Sequence, residues 1–307
     1  MSAKLVYLSG GVGGARLAHG LYHALDPEAL CCVVNTGDDL VHWGLHVSPD
    51  LDTMLYTLAD VADVERGWGL AGETFEALAW VKRYGGEAWF ALGDRDLATH
   101  LMRSQWLRAG DSLTRVTERL RTALGVRTPI LPMSDDACET MIDTAQGSLS
   151  FQHWLVGERG LPAVQRVWFR GSPRATPELE RALDAASLVV IGPSNPYVSI
   201  DPILSLPGVR ERLQVKPVLA VSPIVHGRAV KGPLAGMLET LGRMPPSAAS
   251  VAEHYAGLLR GYVVERGDEA GLSMPVLATD TIMETRAQSR SLAERILAFA
   301  RELGVWA

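Results

Sequence analysis

The sequence predicts an α/β protein built on a doubly wound parallel sheet, and three observations predict it. A short apolar run at 4–9 (KLVYLS) ends directly in glycines, and Leu17, Leu21 and Leu25 then fall on one helical face. Asp26-Pro27 closes that segment, and a second buried-strand run at 31–36 (CCVVNT) completes a β-loop-α-β opening. The same alternation returns late in the chain. Strand candidates stand at 187–192 (SLVVIG), 217–222 (PVLAVS), 261–265 (GYVVE) and 276–278, ahead of a strong amphipathic helix at 286–303.

The middle of the chain reads differently. Residues 52–125 are mostly helical in pattern, and 130–133, 140–144, 149–156 and 164–170 suggest β structure, with a hairpin turn at Gln146-Gly147. The expected organisation is therefore a Rossmann-like core from residues 1–51 and 186–307, carrying a central, mostly helical insertion with some β structure at 52–185. No internal repeat, low-complexity linker or heptad run interrupts it, and Pro245-Pro246-Ser247 is a connecting loop.

Composition narrows the class. A chain of 307 residues with 47% hydrophobic and 21% charged side chains can bury a substantial core. The net charge is −6, and Lys and Arg are spread along the chain, so a nucleic-acid partner is not expected. Three cysteines, Cys31, Cys32 and Cys138, form no disulfide framework or zinc spacing and read as buried thiols. No run approaches the roughly 20 apolar residues of a membrane span, and no signal-peptide pattern opens the chain, so a cytoplasmic protein is expected.

Several motifs could carry chemistry. In Ser9-Gly10-Gly11-Val12-Gly13-Gly14-Ala15-Arg16, glycines at a strand-to-helix turn let backbone N–H groups approach a phosphate. It is no Walker loop, and Arg16 stands where a dinucleotide fingerprint wants Gly or Ala. Asn35-Thr36-Gly37-Asp38-Asp39 ends the second strand, where its acids could hold a ribose or a hard cation, or simply cap a turn. Ser48-Pro49-Asp50-Leu51-Asp52-Thr53 opens a helical run, so Asp50 or Asp52 could be an N-cap. Yet Asp38, Asp39, Asp50 and Asp52 lie close together beside a phosphate loop, as magnesium sites require.

Further along, Arg95 in Leu92-Gly93-Asp94-Arg95-Asp96 could clamp a phosphate and His100 could act as a base, against the plain alternative of a capped helix with a charge ladder. Met133-Ser134-Asp135-Asp136 and Gly192-Pro193-Ser194-Asn195-Pro196 both follow strand ends. Ser222-Pro223-Ile224 is a weaker echo, and Lys231 adds a cation near it. There is no Gly-x-Ser-x-Gly elbow, kinase set or HExxH, although His42 and His46 share a helical spacing. The eight tryptophans are scattered, as core or pocket walls rather than a stacking platform.

Taken in order, SGGVGGARL, NTGDD, SPDLDT, LGDRDLATH, ILPMSDD, GPSNPYVSI and AVSPI resemble the 2-phospho-L-lactate transferase family of coenzyme F420 biosynthesis, from about Leu5 to the final helix. The resemblance implies transfer of a phospho-acid from a guanosine-diphospho-activated donor to the hydroxyl of the deazaflavin Fo, with GMP released and magnesium (Mg2+) required. It implies that Gly10, Gly11, Gly13 and Gly14, with Ser194 and Asn195, hold the guanosine diphosphate portion. Asp50, Arg95 and Met133, Ser134, Asp135 and Asp136 would face Fo, the insertion completing its pocket. Asp38, Asp39 and Asp50 are the candidate magnesium contacts, and Asp50 and Arg95 the catalytic pair. A homodimer is expected of the class. The alternative is a nucleotide-sugar-binding regulator of the same superfamily, which has no need of the SPDLDT, LGDRDLATH and PMSDD blocks together. His19 and His23 fit no family role and read as surface or helix residues.

Overall fold

The computed structural model describes residues 5–306. Strand β1 (Leu5–Ser9) runs into helix α1 (Gly11–Ala24), and β2 (Leu30–Val34) returns parallel to it. A hairpin of β3 (Leu40–His42) and β4 (Leu45–Val47) leads to α2 (Pro49–Leu58), then α3 (Glu76–Arg83), α4 (Asp94–Arg108) and α5 (Leu113–Ala123). Next come β5 (Ile130–Pro132), β6 (Glu139–Thr144), β7 (Gly147–Ser150), β8 (Arg166–Arg170) and α6 (Pro177–Ala185). The chain continues through β9 (Leu188–Ile191), α7 (Asp201–Leu204), α8 (Val209–Gln214) and β10 (Val218–Val221). It ends with β11 (Ile224–Val225), β12 (Arg228–Ala229), α9 (Leu234–Met237), α10 (Ala248–His254), β13 (Gly261–Val264), β14 (Val276–Ala278) and α11 (Arg286–Glu302).

The expected doubly wound sheet is present. Seven strands lie in the order β14-β13-β10-β9-β1-β2-β5, every pair parallel. Both faces are covered, which explains why β1, β2, β9 and β10 read as continuous apolar runs rather than alternating ones. Side chains still alternate between two cores. Leu5 and Tyr7 pack with α1, α2, α5 and α11, whereas Val6 and Leu8 pack with α6, α7, α8 and α10. From β1 the chain builds outward through β2 to β5, and from β9 it builds the other way through β10 to β14. The switch point lies between β1 and β9, where ligands bind in open α/β sheets.

Helix α1 is clamped from its far side by α11. A Cβ on Gly20 would sit 2.1 Å from the Ser289 carbonyl oxygen, so only glycine permits that approach. The start of α11 is fixed by a capping box between Thr285 and Gln288.

Three expectations shift. Helix α2, helix α5 and strand β5 lie in or against the core sheet, so 52–185 is not one separate insertion. The cause is local: Leu51, Met54, Leu55 and Leu58 of α2 and Val116 and Leu120 of α5 are buried against β1 and β2. Strand β5 is three residues long, too short to announce its sheet from sequence. Second, the expected strand at 149–156 is a strand only as far as Ser150; Phe151, Trp154 and Leu155 have i, i+3, i+4 spacing and coil helically. The hairpin there turns on Ala145-Gln146, with Gly147 already paired to Thr144. Third, His42 and His46 stand on the two strands of a hairpin, not on a helix.

Candidate active site

The loops after β1 and β9 meet at the switch point. Gly10 precedes α1, and Gly11 begins it with φ +68°, a conformation only glycine adopts freely. A Cβ on Gly10 would lie 2.3 Å from Asp50 Oδ2, and one on Gly14 would meet Ser9 and Ser194. The glycines thus serve close packing as well as ligand approach. Ser194 Oγ accepts from the Gly10 N–H (3.2 Å) and donates to the Gly10 carbonyl (2.8 Å), stitching the two loops together. Asn195 Oδ1 accepts from the Tyr197 N–H and caps the following turn. Both side chains are therefore committed to shaping the cleft. Val12 and Gly13, in the first turn of α1 where backbone N–H groups lack intrahelical acceptors, line a cavity of about 390 Å³. Arg16 and Lys231 line the same cavity.

Asp50 stands in the first turn of α2, directly beneath the glycine loop. Its Oδ1 accepts from the Gly11 N–H (2.7 Å) and its Oδ2 from Asn35 Nδ2 (3.0 Å). The same Asn35 amide donates to Asp38 Oδ1 (3.0 Å), and Gln152 Nε2 donates to Asp38 Oδ2 (2.8 Å). Burial, followed by the charges of Asp50 and Asp39, pushes the Asp38 carboxyl well above the usual carboxylate range. Burial also raises Asp50 to about 6, against the lowering effect of Asn35 and the Gly11 N–H. Among the described residues neither Asp38 nor Asp50 is ion-paired with Lys, Arg or His. Two buried oxygen-donor side chains with no cationic partner, lining the glycine-loop cavity, fit a hard divalent ion such as magnesium. Asp39 differs: it accepts from His46 Nε2 (3.0 Å) and Ser48 Oγ (2.7 Å) and faces another cavity.

On the far side of Asp50 a second cavity opens, of about 360 Å³, walled by Trp68, Trp89, Phe90 and Tyr56. The two cavities share Gly11, Val12, Pro49, Asp50, Gln152 and Leu155 in their linings. Its polar floor is a buried network. Arg103 pairs with Asp52 through two hydrogen bonds, one of 2.9 Å, and approaches His100 Nδ1 at 3.2 Å. His100 Nε2 is 3.2 Å from Asp96, which accepts from Tyr56 Oη at 2.7 Å. Asp52 is thus the partner of a buried arginine rather than an N-cap.

The other expected site residues scatter. Arg95 is exposed and lines neither cavity; its Nη1 donates to the Ala71 carbonyl (2.7 Å) and its N–H to Glu73, so it holds the 71–75 loop. Met133 is core, and Ser134 Oγ donates to the Arg174 carbonyl. Asp135 accepts from Thr114 at the start of α5, and Asp136 from the Arg174 N–H. Asp135 and Asp136 line a third cavity, of about 660 Å³, with Asp39 and His46. The structure thus gathers Gly10, Gly11, Gly13, Asp38, Asp50, Ser194 and Asn195 and leaves Arg95, Met133 and Ser134 aside. Gln152 and the Asp52–Arg103 pair escaped the sequence reading; a lone glutamine inside an apolar run was the one visible sign of the former. The three cysteines are free and buried, as expected. No helix among the described residues is long and apolar enough to cross a membrane.

A family model described as 2-phospho-L-lactate transferase CofD matches residues 5–288. A 2-phospho-L-lactate transferase of Methanosarcina mazei is 41% identical over 301 residues, covering 95% of this chain and 99% of that protein. A phosphoenolpyruvate transferase of Thermobifida fusca is 43% identical over 283 residues, covering 86% of this chain and 87% of that protein. The crystal structure of a UPF0052 family member from Bacillus halodurans superposes with a TM-score of 0.68 over 97% of this chain and 99% of that one. At 14% identity it speaks to the fold alone.

Proposed function

The chain belongs to the 2-phospho-L-lactate transferase CofD family, and from that premise we propose that it passes a phospho-acid from a guanosine-diphospho-activated donor to the hydroxyl of the deazaflavin Fo. That it is a CofD-type transferase of a phospho-acid follows from the family and from relatives named for 2-phospho-L-lactate and for phosphoenolpyruvate. The observation carrying the finer reading is the shared wall: a glycine-lined cavity that holds Arg16, Lys231 and Asp38 and an aromatic one meet at Asp50.

In this reading the donor's diphosphate lies against the N–H groups of Val12 and Gly13, with Arg16 and Lys231 facing its charge. The flat deazaflavin ring lies among Trp68, Trp89 and Phe90, and its hydroxyl side chain reaches Asp50. The hydroxyl oxygen bonds to the phosphorus that bears the acid, the bond from that phosphorus to the GMP oxygen breaks, and the hydroxyl proton passes to Asp50. Burial raises this carboxyl to about 6 in the metal-free protein, and a bound cation would lower it. Asp38 and Asp50 are the residues that would hold magnesium, which supplies neutralisation of diphosphate charge. Little covalent work falls to the protein; alignment across the shared wall is its main contribution.

The test is mass spectrometry on purified protein with magnesium, Fo and each activated donor in turn. A phospho-acid ester of Fo with stoichiometric GMP is expected. No product with any donor, alongside tight binding of a uridine-diphospho-sugar, would overturn the proposal in favour of a nucleotide-sugar-binding regulator.

A further inference from the structure

Away from both cavities, three ligand-type side chains converge at the opposite end of α1 and α2. His19 and His23 stand one turn apart on α1, and Asp60 follows the C-terminus of α2. His19 Nε2 lies 3.1 Å from His23 Nε2 and 2.9 Å from Asp60 Oδ1. All three donor atoms fall within 4.8 Å of one another. His19 is buried while His23 and Asp60 are exposed, so the cluster opens to solvent on one side.

Hydrogen bonding does not account well for this arrangement. A neutral imidazole carries one N–H, yet His19 Nε2 faces two partners at once, one of them another ring nitrogen. In a tetrahedral site with metal–ligand bonds of roughly 2.0–2.2 Å, neighbouring donor atoms stand roughly 3.3 Å apart. The two spacings about His19 Nε2 need only a few tenths of an ångström of opening. Two imidazoles and one carboxylate are a donor set for a borderline transition-metal ion, not for magnesium.

We propose that His19, His23 and Asp60 form a second metal site, for a divalent transition ion such as zinc, distinct from the carboxylates beneath the glycine loop. Its ion would tie α1 to α2, whose N-termini carry the glycine loop and Asp50. Two features set its strength. Arg286 Nη2 contacts Asp60 Oδ1 at 2.9 Å and competes with any cation there. His19 Nδ1 is buried without a hydrogen-bond partner, so the second ligand shell is incomplete.

The site is tested by titrating the full chain with cobalt(II) in excess magnesium, following visible absorption and bound metal by dialysis. One cobalt ion per chain with tetrahedral-type bands, displaced by zinc, is expected. His23→Ala and Asp60→Asn, both at exposed positions, should each weaken cobalt binding by at least roughly tenfold. Arg286→Gln should tighten it, because the competing cation is gone. Zinc should also raise the thermal midpoint of the wild-type chain and not that of His23→Ala. Substoichiometric binding, or binding indifferent to His23→Ala and Asp60→Asn, would overturn the proposal.

Discussion

Replacing Asp50 by Asn probes the site through two independent readouts. The substitution keeps the shape and removes the charge. Oδ1 can still accept from the Gly11 N–H, but the new Nδ2 must then face Asn35 Nδ2, donor against donor. That mismatch costs about 1–3 kcal/mol. Against it stands the wild-type penalty for ionising a buried carboxyl. Asp50 titrates at about 6 in the folded chain, whereas an unfolded aspartate titrates near 3.9. A raised folded pKa means that the folded state holds its proton more tightly. Wild-type stability is therefore greatest below about pH 4 and declines as pH rises through about 6. Two pKa units at 1.36 kcal/mol each give about 3 kcal/mol lost by pH 7.5. Asn has no such titration. The variant should be the less stable protein at pH 4 and equal to or more stable than wild type at pH 7.5, the difference moving by about 3 kcal/mol. At about 2 °C per kcal/mol for a chain of this size, the difference between thermal midpoints measured without magnesium should move by roughly 6 °C between about pH 4 and about pH 7.5. Turnover should fall by roughly 10²-fold or more if Asp50 is the general base. A near-normal rate removes Asp50 from the mechanism. A stability difference that does not change with pH refutes the burial argument.

Other consequences can be checked with less effort. Trp89→Ala should raise the acceptor KM by roughly tenfold while changing the donor KM little, since about 1–2 kcal/mol of ring contact is lost; steady-state kinetics with each substrate varied would separate the two. Arg103→Met strands Asp52 as a buried charge and should cost about 3–5 kcal/mol by urea denaturation, most of it recovered in Arg103→Met with Asp52→Leu. Magnesium should raise the wild-type thermal midpoint at pH 7.5 far more than at pH 5, because Asp38 and Asp50 must lose their protons to bind it. That stabilisation should nearly vanish in Asp50→Asn.

What could be read from sequence was whatever is local. The run into Gly10, the helical spacing after it and the Gly192-Pro193-Ser194-Asn195 loop each announce themselves within about ten residues, and together they locate the switch point. Arg95 shows the limit. Its flanking acids resemble a phosphate clamp, but the partners that capture it, Ala71 and Glu73, lie more than twenty residues upstream on a loop without regular structure. Asp52 read as a helix cap because its arginine stands 51 residues away on α4. His19 and His23 read as surface or helix residues without a role, whereas His19 is buried and only the fold brings Asp60 to it. The run at 130–133 read as β structure, but only the fold shows that β5 joins the core sheet beside β2.

The glycine-lined cavity has two walls, and the chain delivers them far apart in sequence. Strand β1 pairs with β2 almost at once, but its other edge waits for Leu188–Ile191, and Ser194 cannot reach Gly10 before then. A nascent chain therefore carries an apolar strand with one open edge from Ser9 until Leu188 is made, the kind of edge that recruits other strands. The glycine loop is itself only half formed until β9 arrives, because its stitching to Ser194 is still missing. The central position of the first strand, which makes the active site, also makes its newborn form the part of the molecule most in need of shelter.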